Sequence, residues 1–499
     1  MKFPAFLPLA TVAIRLPSLW EPRWYSDEGT FTTVAWVHSL GVPLYSGVFD
    51  VNPPGIYWLY GLLLRLGGDQ HHLVIQGALL VAVLVSVLCI YRLAGQWFSE
   101  SIATGAGLLT AVGLSILTLD GDLLNVEVAA LPFFLAALLL AVQKGAYWAL
   151  AAGLFAAAAL LIRPSYALDC ATVLVALIFA RQAFLRLALA AIGALLVVGS
   201  TAVALAVGGS LDPYVGIVSE TQRAYLLWSN GDSLFPLILR IAVGAAIAVI
   251  CFWRAANRSC RLLAIWLPAS AIGASLTPRE LSHYAIEVIP PLSVAIAALT
   301  SAALKSLSAG RPWPRFASAI VATPVALIML VGGAEVVLIA PAQEVALLRS
   351  THAPPPFLHN FSYARLPAYY GRWLRWMTQH PFTTQGLTGF PGPIREEIAE
   401  ARVLDQLADD SSTRVLVLGD RAVTYFLARR RPATRYVAQN SGFRLVPDAS
   451  TEVGTSLDAR LAEVVAIADA PPGDWRSRLE DDGYRLVASY PWQTYRSEP

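Results

Sequence analysis

Two adjacent carboxylates, Asp27 and Glu28, follow directly on a first hydrophobic run, and one of them could accept a proton from an acceptor hydroxyl or amine. Such pairs also occur widely as solvated loop acids, so their surroundings decide. Downstream stand Gly41-Val-Pro-Leu-Tyr45 and then Phe49-Asp-Val-Asn-Pro-Pro-Gly-Ile-Tyr57, where Asp50 reads as structural support. A second group is Thr277-Pro-Arg-Glu-Leu-Ser-His-Tyr284. In it Arg279 could neutralise a phosphate while His283 and Tyr284 donate hydrogen bonds to it; the competing reading has Arg279 snorkelling to headgroup depth. Asp120, Asp122, Asn125 and Glu127 cluster in one turn. As hard oxygen ligands, Asp122 and Glu127 could hold Mg²⁺ or Mn²⁺; alternatively the cluster orients substrate or caps a helix. Arg163-Pro164 ends another apolar run, and its guanidinium is a further candidate for phosphate, with Asp169 about one turn deeper and paired to a basic or polar neighbour. Arg223 and Tyr225 are weaker candidates for acceptor or lipid contact. The sequence holds no G-x-x-x-x-G-K-[ST] loop, G-x-S-x-G elbow or H-E-x-x-H pair, which leaves nucleotide hydrolysis, serine hydrolysis and zincin chemistry without a motif.

The elements that must position these groups are mostly apolar. Of 499 residues, 56% are hydrophobic and 14% charged, where a soluble domain has about 25% charged. The expected architecture is therefore an α-helical polytopic membrane protein. Runs long enough to cross about 30 Å of hydrocarbon fall near 4–20, 72–95, 102–119, 127–143, 147–162, 165–180, 187–208, 234–253, 262–276, 284–304 and 317–340, about eleven transmembrane helices. The first is read as a spanning helix and not a removed signal, since no small-residue cleavage site follows it.

Alternate loops collect Lys2, Arg92, Lys144, Arg181, Arg186, Arg254, Arg258, Arg261, Lys305, Arg311 and Arg315, while the opposite loops are richer in Asp and Glu. The bias puts the N-terminus in the cytoplasm of an inner or plasma membrane and everything after Ala340 outside. The net charge of +2 points to no polyanionic partner, and no nucleic acid is expected. The first external loop, 20–71, is rich in Trp, Tyr, Pro and Gly, with Gly29–Leu40 helical, and reads as lying along the membrane surface. Leu211–Asp232 reads as a second interfacial piece. The expected domains are a membrane module, 1–340, and an extracytoplasmic region, 341–499.

That region contains a small α/β domain at about 411–499. Thr413–Leu418, Thr434–Ala438, Val464–Ala468 and Tyr484–Tyr490 read as strands, and Ala422–Arg430, Leu457–Glu463 and Trp475–Asp481 as helices. The four cysteines all precede Arg261, so this domain carries no disulfide.

The acidic pair after the first helix, the Gly41-Val-Pro-Leu-Tyr45 element and the Pro53-Pro54-x-x-Tyr57 stretch together resemble the first external loop of GT-C fold integral-membrane glycosyltransferases. The similarity is to the protein O-mannosyltransferases and the lipid A aminoarabinose transferases. The resemblance implies Asp27 as base or acceptor-binding carboxylate with Glu28 in support, and Asp50, Asn52 and Tyr57 in site architecture. It also implies a donor-phosphate role for Arg279 and, behind it, for His283, Tyr284 and Arg163. One departure stands out: where the aminoarabinose transferases carry a phosphate-contacting lysine before the Pro-Pro pair, this chain has Asn52.

The implied activity is inverting transfer of a sugar from a polyprenyl-phosphate donor to an extracytoplasmic lipid, polysaccharide or protein, in contact with membrane lipids. No organic cofactor is certain, and a divalent cation remains an option. The rivals are a transporter or flippase of lipid-linked substrates, and an external binding module anchored by the bundle.

Overall fold

The computed structural model describes residues 4–20, 26–68, 71–116, 119–229, 235–254, 258–276, 282–308, 366–380, 395–408, 410, 412–446, 448–468 and 474–497. In chain order the helices are α1 (Phe6–Arg15), α2 (Ser26–Ser39), α3 (Pro54–Gly67), α4 (His71–Trp97), α5 (Glu100–Gly113), α6 (Val126–Ala141) and α7 (Trp148–Ile162). They continue with α8 (Tyr166–Ile178), α9 (Ala183–Val207), α10 (Leu211–Gly216), α11 (Gln222–Ser229), α12 (Phe235–Arg254), α13 (Arg258–Ala274) and α14 (Ile289–Ser308). Beyond these come α15 (Leu366–Gln379), α16 (Arg395–Leu407), α17 (Val423–Ala428), α18 (Gln439–Leu445), α19 (Ala449–Asp458) and α20 (Trp475–Asp481).

Ten of the eleven expected apolar runs fall on helices, and the one near 317–340 lies outside the described residues. Length is a stricter test. Among the described residues, three helices are long and apolar enough to cross a membrane: His72–Trp97, Ala183–Val207 and His283–Ser301. Phe6–Leu19, Val126–Ala141, Trp148–Ile162 and Tyr166–Ile178 are apolar but shorter. Large apolar side chains such as Phe184, Leu195, Val203 and Val207 stand exposed along α9, as they would toward lipid.

The chain folds as two compact units. The first comprises 1–21, 76–201 and 226–390. Here α6 packs on α7 and α8, α13 on α8 and α12, and α5 on α1 and α14. Small residues bring helices close: a Cβ on Gly153 of α7 would run into the backbone of Ala190 in α9.

The second unit joins 22–75, 202–225 and 391–499. The first external loop thus shares a compact unit with the C-terminal α/β fold, a grouping that the linear domain division did not anticipate. Its sheet contains β1 (Val415–Leu418), β2 (Val464–Ile467), β3 (Tyr484–Ala488) and β4 (Gln493–Ser497) in the order β1-β2-β4-β3. Strands β1 and β2 run parallel with Val415 opposite Val464, whereas β4 is antiparallel to both β2 and β3. Every residue of β1 is buried, as expected of an apolar run in a parallel pair.

Three expectations for this domain need correction. Thr434–Ala438 forms bends, and its strand-type pairing among the described residues is an isolated bridge from Tyr436 to Phe49, so no ladder holds it extended. The helix expected over Leu457–Glu463 is instead α19, which ends at Asp458 because the next residues turn, with Arg460 at φ 52° leading into β2. Strand β4 was unanticipated. The fold also begins earlier than 411, since α16 packs on α17 and its Glu400 accepts a hydrogen bond from Thr494 of β4 at 2.7 Å.

Candidate active site

Within the second unit, α2 starts with Ser26, Asp27 and Glu28, and carboxylates in a first turn complement the unpaired N–H groups and positive end of the helix. The two side chains are treated differently: Asp27 is exposed, whereas Glu28 is 1% exposed. Tyr60 of α3 lies beside them; its phenol is held well above its usual range by burial first, then by the charges of Glu28 and Asp27. Phe31, one turn on, meets the edges of Tyr60 and Tyr57 with ring centroids 5.6 and 6.3 Å apart. Phe31, Tyr57 and Tyr60 thus pack together beside the acidic pair.

The Gly41–Tyr57 stretch is tied to itself. Tyr45, at φ 69°, donates its backbone N–H to Val48 O at 2.6 Å and its hydroxyl to Asn52 O at 3.1 Å. Asp50 accepts from the Tyr57 hydroxyl at 2.6 Å and from Asn52 Nδ2 at 3.1 Å. Asp50, Asn52 and Tyr57 are thus brought together as a brace. The same loop is held from outside by Gln222 of α11, which donates to Val51 O at 2.8 Å, and by Tyr214, whose ring lies 5.3 Å from Tyr45. Neighbouring Arg223 is exposed and Tyr225 half-buried.

In the first unit a polar network is built around Arg163. This residue caps the C-terminal end of α7 and pairs with both Glu127 of α6 and Glu287, which lies in the 3₁₀ turn Ser282–Val288 ahead of α14. Ser165 Oγ also donates to Glu287, at 2.6 Å, and the guanidinium sits 4.9 Å over the ring of Tyr284. His283 Nδ1 lies 3.0 Å from Asp120 and its Nε2 3.7 Å from Glu127. Asn125 caps α6, accepting from Val128 N at 3.1 Å, and Asp122 is buried in the same turn. Asp169 accepts from Ser270 and from Trp266 Nε1, so its partners are polar and uncharged.

Sequence reasoning placed Asp120 with Glu127, Arg163 alone, and His283 with Tyr284 in three separate groups, and the fold joins them. It missed Glu287 and the buried Arg15, which donates to Gly121 O and holds the Asp120 turn; a lone charge inside an apolar run was the available signal for both. Among the described residues no group of three His, Cys, Asp or Glu is arranged to hold a metal ion. Arg279 lies outside the described residues.

Residues 51–206 match the family model described as dolichyl-phosphate-mannose-protein mannosyltransferase. No curated protein matches the chain by sequence. Among solved structures, ArnT from Cupriavidus metallidurans in the apo state is similar with a TM-score of 0.56 at 15% identity, over 99% of this chain and 98% of that one. The same protein bound to undecaprenyl phosphate gives 0.55 at 15% identity, with equal coverage. An Archaeoglobus fulgidus oligosaccharyltransferase gives 0.42 at 13% identity, over 92% of this chain and 68% of that one. The chain therefore shares the fold of ArnT over its whole length, and its residues 51–206 match the mannosyltransferase family model.

Proposed function

We propose that this protein is an inverting glycosyltransferase that moves a sugar from a polyprenyl-phosphate carrier to an extracytoplasmic acceptor, in a chain crossing the membrane about eleven times. The observation that carries the reading is the first turn of α2, where an exposed and a buried carboxylate stand side by side. Asp27 takes the proton from the acceptor hydroxyl or amine as that atom attacks the anomeric carbon. The bond from that carbon to the phosphate oxygen breaks, its electron pair stays on the oxygen, and polyprenyl phosphate departs from the opposite face. Glu28, its buried neighbour in the chain, supports it. The donor class is supported by the dolichyl-phosphate-mannose description of the matching family and by the undecaprenyl phosphate bound to the similar ArnT.

A leaving phosphate needs a cation. The charge of Arg163 is already met by Glu127 and Glu287, so we assign the phosphate to Arg279 and give Arg163, with His283 and Tyr284, the task of holding the network together. The acids of the Asp120 turn belong to that network, and no metal step is used.

The test is Asp27→Asn in purified protein, measuring transfer of radiolabelled sugar from polyprenyl phosphate alongside donor binding. Turnover should fall by about 10²–10⁴ with binding retained, the range expected when a general base is lost. Transfer at the wild-type rate would remove Asp27 as base and favour a carrier of lipid-linked substrates.

A further inference from the structure

We infer that the C-terminal α/β fold is the positioning device for the Asp27–Glu28 pair, acting through one face of α2. Gly29, Thr33 and Trp36 recur at helical spacing on that face, and each meets the start or body of α17. A Cβ on Gly29 would lie 2.8 Å from Val423 Cβ, so the two helices touch at the residue directly after the acidic pair. Thr33 Oγ1 donates to Ala422 O at 2.8 Å in a fully buried contact, and Trp36 packs its edge on Phe426 at 5.9 Å. A second anchor lies on the Pro-Pro stretch: Phe49 donates its backbone N–H to Arg435 O at 2.7 Å and its ring rests 5.3 Å from Tyr436. Arg435 is fixed in turn by Glu452 at 2.8 Å. The C-terminal fold therefore holds the loop that carries the carboxylates at two places, α2 and Phe49. Gly29, Thr33, Ala422 and Val423 are positioning residues that act through Asp27.

The inference rests on Asp27 being the base, and the experiment separates the two. Full-length Gly29→Ala, Gly29→Ala/Val423→Gly, Thr33→Val and Thr33→Ser are compared for kcat, acceptor KM, donor binding and thermal unfolding. Carbon atoms in contact sit about 3.5–4.0 Å apart, so the methyl added by Gly29→Ala must push α2 off α17 by about 1 Å. A shift of that size lowers kcat by about a hundredfold, with donor binding kept and the protein still folded at the assay temperature. Val423→Gly removes the opposing Cβ and restores most of the loss, which Val423→Ala would not. Thr33→Val lowers kcat several-fold and Thr33→Ser keeps it, a pair that decides the matter where Gly29→Ala fails to fold. Wild-type kcat in Gly29→Ala or Thr33→Val overturns the inference, as does a loss that tracks unfolding at the assay temperature or that Val423→Gly leaves unrepaired. If Asp27→Asn is inactive while Gly29→Ala is fully active, the positioning role alone is lost; an active Asp27→Asn removes the base assignment itself.

Discussion

Arg163 brings one positive charge to two carboxylates whose side chains are 1% and 0% exposed. Breaking such an arrangement from the cationic side leaves both acids without their counter-ion, which is costlier than never having buried the charges. Arg163→Ala should lose about 3–5 kcal/mol of stability, read as a lowered unfolding midpoint in detergent. Adding Glu127→Gln and Glu287→Gln should recover most of it. Arg279→Ala, by contrast, should keep the midpoint and weaken donor binding; an unchanged midpoint in Arg163→Ala together with weakened donor binding would hand the phosphate back to Arg163. The difference between these groups also explains what could be read in advance. Asp27 and Glu28 are neighbours in sequence and share a helix turn, so their chemistry was legible as a pair. Glu287 is 124 positions from the arginine that it meets, and nothing local in an apolar stretch announces a partner at that distance.

The helices and strands divide along the same line. Strand β1 is a run of four apolar residues and α2 opens with acids and ends near Gly41, signals that need no partner to be recognised. Strand β4, Gln493–Ser497, is polar and owes its place to pairing with β2 on one side and β3 on the other. It is also where α16 is fastened. Glu400 of α16, fully buried, accepts from Thr494, and burial lifts its carboxyl above the ordinary range against the opposing pull of that hydrogen bond and of the Trp492 backbone N–H. With the folded value raised, the folded state binds the proton more tightly than the unfolded chain does. The contribution of Glu400 is therefore fully present below about pH 4.3, the unfolded value, and is lost as pH rises through the folded one. Glu400→Gln keeps the acceptor oxygen without the charge and should make the domain more stable at neutral pH, with a flatter pH dependence. Hydrogen exchange at the β4 amides between pH 4 and 8 reads this directly; equal protection in both proteins across the range would mean that Glu400 ionises without cost.

At the scale of the molecule, composition separated a membrane part from a soluble part, yet it assigned the first loop to the former. The second compact unit is assembled from 22–75, 202–225 and 391–499, and its defining contact joins Thr33 to Ala422 across 389 positions. No periodicity or motif in either segment encodes that meeting; it emerges from the fit of a glycine against a valine and of a buried hydroxyl against a carbonyl. A unit built this way cannot lose one segment and leave the others intact, because Thr33, Phe49 and Gly29 would each face water where they now face protein. Removing 391–499 should then open the loop, so that chymotrypsin cleaves after Trp36 and Phe49 at concentrations that leave the full chain whole. Sugar transfer should be abolished although Asp27 is still present. A truncated protein that resists the protease and still turns over would show that the loop holds its shape alone, and that the C-terminal fold serves some end other than placing the carboxylates.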